Sequence, residues 1–242
     1  MENAGYIILS RQTALGRNLQ MLAHNIANMN TNGYRGERPL FQEFLTKTDD
    51  GQRISQSIDR GLVRDMTPGR IETTDNPLDV ALSGKGFLVV DVNGEERYTR
   101  NGSLRLNAEG NIVTNSGQAI LGEDGPINIP AGAHSISITK DGVIQSSQGE
   151  HGRLRFADFE NEYLLLKEAG GLFKSAPNQE VLAAENIEVL QGSLERSNVQ
   201  GILAMTELIN VTRAYTRAAS FAKDEDQRQM NAIRTISNMR GN

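Results

Sequence analysis

Apolar residues near the start of the chain recur at helical spacing. Ile8, Leu15, Leu19, Leu22, Ile26 and Met29 fall on one stripe, and from Leu15 the steps run four, three, four, three. That spacing predicts a helix carrying a heptad seam, with Gln12 as a polar break in it. At about 1.5 Å per residue the helix would span roughly 35–40 Å. It runs into Asn28-Met29-Asn30-Thr31-Asn32-Gly33, a cluster of residues that stop helices and form turns. Asparagine and glycine tolerate the left-handed backbone that ends a helix, so this cluster reads as a terminator and not as a polar site.

The far end of the chain repeats the pattern. Ser197 or Asn198 is a suitable N-cap, and the run that follows has no proline and, between Gly201 and Gly241, no glycine. Met205, Leu208, Thr212, Tyr215, Ala219 and Ala222 form a second seam. Lys223 to Gln229 is almost wholly polar, and Ile233 and Ile236 then resume the register.

Between the two ends the period shortens to two and glycine becomes frequent. Phe87 to Val92 reads as a buried strand, Asn93-Gly94 as a tight turn, and Glu95 to Thr99 as the returning strand. Leu104-Arg105-Leu106 with Ile112-Val113-Thr114 predicts a second hairpin, and Ile136 to Thr139 with Val143-Ile144 a third. The fold class is therefore mixed α and β: an all-β centre flanked by long terminal helices that pair as a coiled coil. Residues 1–35 form an N-terminal assembly helix and 197–242 a C-terminal one, together a helical core domain. Residues 80–169 are the β-rich outer domain, joined to the helices by extended connectors at 36–79 and 170–196.

A seam stabilises a helix only when a partner covers it, at roughly 1.5–3 kcal/mol for each buried Leu or Ile. The two helices can cover one another within a chain, as a hairpin. The C-terminal helix is the longer, so part of its seam stays open to neighbouring copies, and a heterologous contact of that kind propagates as a filament. The periodicity alone accommodates both arrangements.

Composition narrows the chemistry. The chain has 242 residues, 38% hydrophobic and 5% aromatic, without tryptophan, which fits a molecule that completes its core with neighbours. A net charge of −5 lacks the basic footprint of a nucleic-acid binder. Cysteine is absent, so disulfides, thiolate zinc sites and cysteine nucleophiles are excluded. His24, His134 and His151 share no ligand spacing. Asp49-Asp50-Gly51 and Asp224-Glu225-Asp226 do not follow a calcium-loop pattern. Gly84-Lys85-Gly86 lacks the Lys-Ser/Thr and helix of a phosphate loop and reads as a turn into a strand. No Gly-x-Ser-x-Gly elbow occurs. No catalytic residue, cofactor, metal or small-molecule substrate is expected. No apolar run reaches membrane-spanning length, and Gly5 to Leu9 is too short for the core of a cleavable signal.

Four stretches, in order, resemble the flagellar axial proteins, the rod and hook subunits. They are His24-Asn25-Ile26-Ala27-Asn28-Met29-Asn30-Thr31-Asn32-Gly33-Tyr34-Arg35, then Asn76-Pro77-Leu78-Asp79 through Phe87, then Tyr98-Thr99-Arg100-Asn101-Gly102-Ser103-Leu104, and finally Leu190-Gln191-Gly192-Ser193-Leu194-Glu195-Arg196-Ser197-Asn198-Val199. His24 is a departure, since many members carry another polar residue there. On this resemblance Asn25, Asn28, Thr31, Gly33, Tyr34, Gln191, Gly192, Ser197 and Asn198 are the family-motif positions. It implies a non-enzymatic rod subunit that polymerises through its terminal helices and transmits torque. The opening Met1 to Gln12 resembles proximal rod members more than the distal rod protein. The resemblance further implies export through the flagellar type III apparatus and assembly in the periplasm with itself and other rod proteins. Ile8, Leu15, Leu19, Leu22, Ile26, Met29, Met205, Leu208, Thr212, Tyr215, Ala219 and Ala222 are the expected assembly interface. A secreted β-rich hydrolase and a self-contained binding module are the competing readings.

Overall fold

A computed structural model describes residues 2–47, 53–184 and 186–239. The chain is mixed α and β, with a helix at each end and a β-rich centre, and it divides into two compact units. The first unit draws on residues up to Ala27, on Glu37–Arg64 and on the chain from Gln200 onward. The second comprises Asn28–Gly36 and Asp65–Val199.

In the first unit, helix α1 (Glu2–Ala27) packs on helix α2 (Gly201–Met239). Tyr215 marks the crossing: Gln12 Nε2 donates to its hydroxyl at 3.4 Å, and a Cβ on Gly16 would lie 3.7 Å from its ring. Further along, Ile8, Leu9 and Gln12 face Ala222, Glu225, Asp226 and Gln229 across a cavity of about 200 Å³. Rising numbers on α1 thus meet falling numbers on α2, and the helices run antiparallel. The half-buried positions of α2 include Gly201, Ala204, Leu208, Val211, Tyr215, Ala218, Ala222 and Glu225, spaced three and four apart. The polar stretch of α2 continues this face, with Glu225 pairing to Arg228 at 3.3 Å.

Strands β1 (Glu37–Lys47) and β2 (Arg53–Arg64) pair antiparallel from Glu37↔Arg64 to Lys47↔Arg53, with a register shift between Pro39 and Phe41. Residues 37–47 and 53–64 therefore form a ribbon where the sequence suggested an extended connector. Asn25 ties α1 to it. The side-chain amide donates to Glu37 O at 2.8 Å and its oxygen accepts from Glu37 N at 3.0 Å, as a paired strand would.

The second unit is built around β5 (Phe87–Val92), which pairs with β6 (Glu95–Thr99) on one edge. Strand 156–158 and strand 119–122 share the other edge. Alternation along β5 puts Leu88 and Val90 into one core with Val80, Ile112, Ile120, Ile144 and Leu154. Phe87 and Val89 enter a second core with Tyr98, Phe159, Leu165 and Phe173 on the other face. Both faces are buried, so this strand reads as an unbroken apolar run. The second core is aromatic: Phe159 meets Phe87 and Tyr98 edge-on at 5.8 and 4.8 Å. The turn joining β5 to β6 has φ of 57° at Asn93 and 84° at Gly94, the double left-handed geometry of a type I′ turn. The hairpins expected at 104–114 and 136–144 are also present, the second with strands at 137–138 and 143–146. Strand β3 (Ile71–Thr73) pairs with 193–195, and β4 (Val80–Ser83) with 188–191. The return segment is thereby stitched into the body.

Candidate functional site

The chain passes between its two units four times, at Asn28, after Gly36, at Asp65 and after Val199. Within the second unit these segments converge on one residue, Asn198. Its Oδ1 accepts Gly36 N–H at 2.7 Å, and its Nδ2 donates to Asp65 O at 2.9 Å and Thr67 O at 3.0 Å. Asp65 N–H closes the ring onto Gly36 O at 2.7 Å. One amide side chain therefore holds three of the four crossing segments.

Beneath it lies Glu195, 1% exposed, between Arg35 at 2% and Arg100 at 4%. Arg35 Nη1 donates to Glu195 Oε1, which also accepts Gly69 N–H at 3.0 Å. Arg100 Nη1 stands 3.6 Å from Glu195 Oε2. Arg100 is held further by the carbonyls of Leu82 and Gly84, at 3.2 and 2.6 Å, and covers the Phe87 ring at 5.4 Å. Burial pushes the Arg100 guanidinium down from its ordinary value, against the pull of Glu195. Buried charges of this kind need partners, and breaking such a cluster is far costlier than breaking a surface pair.

The backbone is as tightly joined as the charges. Gly33 N–H donates to Glu195 O at 2.8 Å. Gly33 has φ of 67°, and a Cβ there would lie 2.5 Å from the Arg100 carbonyl carbon, so both conformation and space require glycine. Arg196 reaches Asn32 Oδ1 at 2.9 Å and Glu72 Oε2 at 2.6 Å. Tyr34 is buried with Lys167 Nζ 4.6 Å above its ring. Gly192 takes φ of 69° so that its N–H meets Asp79 O and its carbonyl accepts from Thr74 and Asp75. Gln191 Nε2 spans Pro77 O and Ile136 O at 2.9 and 3.0 Å. Asn28 and Thr31 close the turn after α1, Thr31 N–H donating to Asn28 O at 3.0 Å.

The motif positions Asn28, Thr31, Gly33, Tyr34, Gln191, Gly192, Ser197 and Asn198 thus lie in segments that meet in one clasp, while Asn25 ties α1 to β1. The expected N-cap role of Ser197 or Asn198 is not observed. Helix α2 starts at Gly201, with Gln200 O accepting Ala204 N–H at 2.9 Å. Asn198 is committed to the clasp, and Ser197 Oγ accepts Val199 N–H in a local turn.

Of the seam residues, Leu22 is buried, and Ile8, Leu15, Leu19, Ile26, Met29, Leu208, Tyr215, Ala219 and Ala222 are half-buried. Met205 and Thr212 are exposed, at the edge of the half-buried stripe, each about 100° around the helix from Ala204 and Val211 respectively; Thr212 Oγ1 bonds back to Leu208 O at 2.7 Å. The side chains of Ile233 and Ile236 and the run Asp49-Asp50-Gly51 lie outside the described residues.

A cleft of about 530 Å³ in the second unit is lined by Met66, Pro68, Lys85, Arg100, Glu162 and Tyr163 among others, and by no serine or histidine. Burial raises the Glu162 carboxyl above its usual range, with Arg100 opposing. The Ser146 hydroxyl lies 2.6 Å from His151 Nε2 on a separate hairpin. Among the described residues no group of three or more His, Asp or Glu is placed to hold a metal ion.

Arg35, Arg100 and Glu195 stand inside the motif stretches, yet no sequence signal pairs them. Arg35 and Glu195 are 160 positions apart.

The terminal helices thus fall in one unit, and the β body of the other clasps the crossing segments. Family models agree along the chain. One for flagella basal body rod proteins matches residues 6–35. One for the D1 domain of flagellar hook protein FlgE/F/G matches 81–146, and one for the FlgEFG C-terminal region matches 190–239. The flagellar basal-body rod protein FlgF of Caulobacter vibrioides is 33% identical over 241 residues, 98% of each chain. FlgF of Salmonella typhimurium is 31% identical over 258 residues, covering 98% of this chain and 99% of its own. FlgG of Agrobacterium fabrum is 33% identical over 227 residues, covering 82% of this chain and 86% of its own. The chain belongs to the flagellar basal-body rod protein family, and it is most like FlgF.

Proposed function

We propose that this chain is a non-enzymatic rod subunit that polymerises through α1 and α2, paired as a coiled coil, and carries torque through the clasp. The observation that carries the reading is the apolar face that α1 leaves uncovered on α2. Ile202 is 84% exposed, and Leu203, Met205, Ile209 and Phe221 are exposed with it. Such a face is costly in water and is accounted for by neighbouring copies or other rod proteins. Load on either helix enters the second unit through segments 28–36 and 192–199, where Asn198 and Glu195 distribute it over many bonds. The subunit reaches the periplasmic rod through the flagellar type III export apparatus.

Leu19→Asp and Leu22→Asp test the helix mechanism. Each removes roughly 1.5–3 kcal/mol of apolar burial and puts a carboxylate in its place. The second unit should remain folded by circular dichroism while the variant is missing from purified basal bodies. Normal incorporation and rotation of both variants would refute polymerisation through these helices.

A further inference from the structure

Asn-Gly occurs three times in the chain, at Asn32-Gly33, Asn93-Gly94 and Asn101-Gly102. This dipeptide is intrinsically labile. The glycine nitrogen, unhindered by a side chain, attacks the asparagine Cγ. A new C–N bond closes a five-membered imide while the bond to the side-chain nitrogen breaks. The glycine N–H proton passes by way of a base to the departing ammonia. Water then opens the imide at either carbonyl and leaves aspartate or isoaspartate, so one water is consumed and one ammonia released. The reaction requires a glycine N–H that is not locked onto a backbone carbonyl and whose proton a base can reach, an asparagine side chain able to turn toward it, and access for water.

The tertiary structure separates the three pairs. Gly33 N–H is donated to Glu195 O, and Asn32 Oδ1 accepts from Arg196. Gly33 also packs against the Arg100–Asn101 peptide, so the first and third pairs lie against each other in the clasp. Asn101 N–H donates to Thr99 Oγ1 at 3.0 Å and its Oδ1 accepts Ser103 N–H at 3.1 Å. Gly102 is buried, with its carbonyl accepting Val80 N–H at 2.9 Å. Asn93 and Gly94 are both exposed at the tip of the β5–β6 hairpin, and a Cβ on Gly94 would have nothing within 4 Å. Gly94 N–H points at Asp91 Oδ1, 2.9 Å away, a carboxylate able to take the proton.

We propose that Asn93 is the site at which this protein undergoes spontaneous deamidation, with Asp91 accepting the Gly94 amide proton, while the clasp shields Asn32 and Asn101. The modification would add one negative charge at the hairpin tip.

The test is incubation of the full chain in mildly alkaline buffer, followed by peptide mapping by mass spectrometry and detection of isoaspartate. In the folded chain, conversion at Asn93 should exceed that at Asn32 on the order of tenfold or more, because the Gly33 amide must first lose a buried hydrogen bond. In urea the three sites should convert at comparable rates. Conversion at Asn32 or Asn101 as fast as at Asn93 in the folded chain would overturn the assignment. So would an Asn93 that stays intact while the unfolded chain converts, or the same preference for Asn93 persisting in urea. Asp91→Asn should slow conversion at Asn93, and an unchanged or faster rate removes Asp91 from the proton transfer.

Discussion

Glu195→Gln keeps the size of the side chain and removes its charge, which isolates the electrostatic part of the clasp. Arg35 and Arg100 would then remain buried with no anion between them. At 3.6 Å and an effective dielectric of about 20, the Arg100–Glu195 attraction alone is about 4–5 kcal/mol. Removing one member of a buried ionic group costs about 3–5 kcal/mol in total. The amide oxygen of glutamine can still accept from Gly69 N–H and from Arg35, so some hydrogen bonding survives. The expected loss is therefore about 3 kcal/mol, a large share of the 5–15 kcal/mol typical of a folded protein. Urea unfolding of the full chain measures it, as a lowered midpoint with an unchanged slope. A surface pair provides the scale: Arg153 and Glu123 stand 3.5 Å apart with both side chains about half exposed. Glu123→Gln should cost no more than about 1 kcal/mol despite the similar distance, because water screens the pair. A Glu195→Gln loss as small as that of Glu123→Gln would refute the idea that burial makes this cluster matter.

Two further outcomes rest on the same geometry. Asn198→Ala removes three hydrogen bonds of 2.7–3.0 Å and leaves Gly36 N–H and two carbonyls without that partner. A loss of roughly 2–4 kcal/mol is expected in denaturant unfolding, with faster hydrogen exchange at Gly36. Glu162→Gln should act in the opposite direction. Because burial raises the folded carboxyl above its unfolded value, the folded chain binds that proton more tightly, and stability falls as pH rises through the Glu162 titration. The glutamine variant should be more stable than the parent at neutral pH. The two should converge in acid, below the ordinary glutamate value of about 4.3.

Local chemistry determined much of this protein. Asn93-Gly94 between apolar runs fixed a hairpin, because few other dipeptides accept two left-handed residues in succession. Seven-residue recurrence fixed α1, and the asparagine–glycine cluster fixed its end at Ala27. The motif stretches were visible as strings, and they carried the family. Other features were decided only in three dimensions. Along α2 the half-buried stripe runs through Ala204 and Val211, next to the Met205 and Thr212 that periodicity selected. Neighbouring positions differ by only about 100° around a helix, and the partner helix, not the larger side chain, chooses between them. The β1–β2 ribbon was hidden because its sequence, interrupted by Pro39 and Gly61, does not alternate cleanly. The clasp could not be read at all. Its energy resides in the pairing of Arg35, Arg100 and Glu195, and pairing across 160 residues is a property of the folded chain, since local sequence constrains only neighbours a few positions apart.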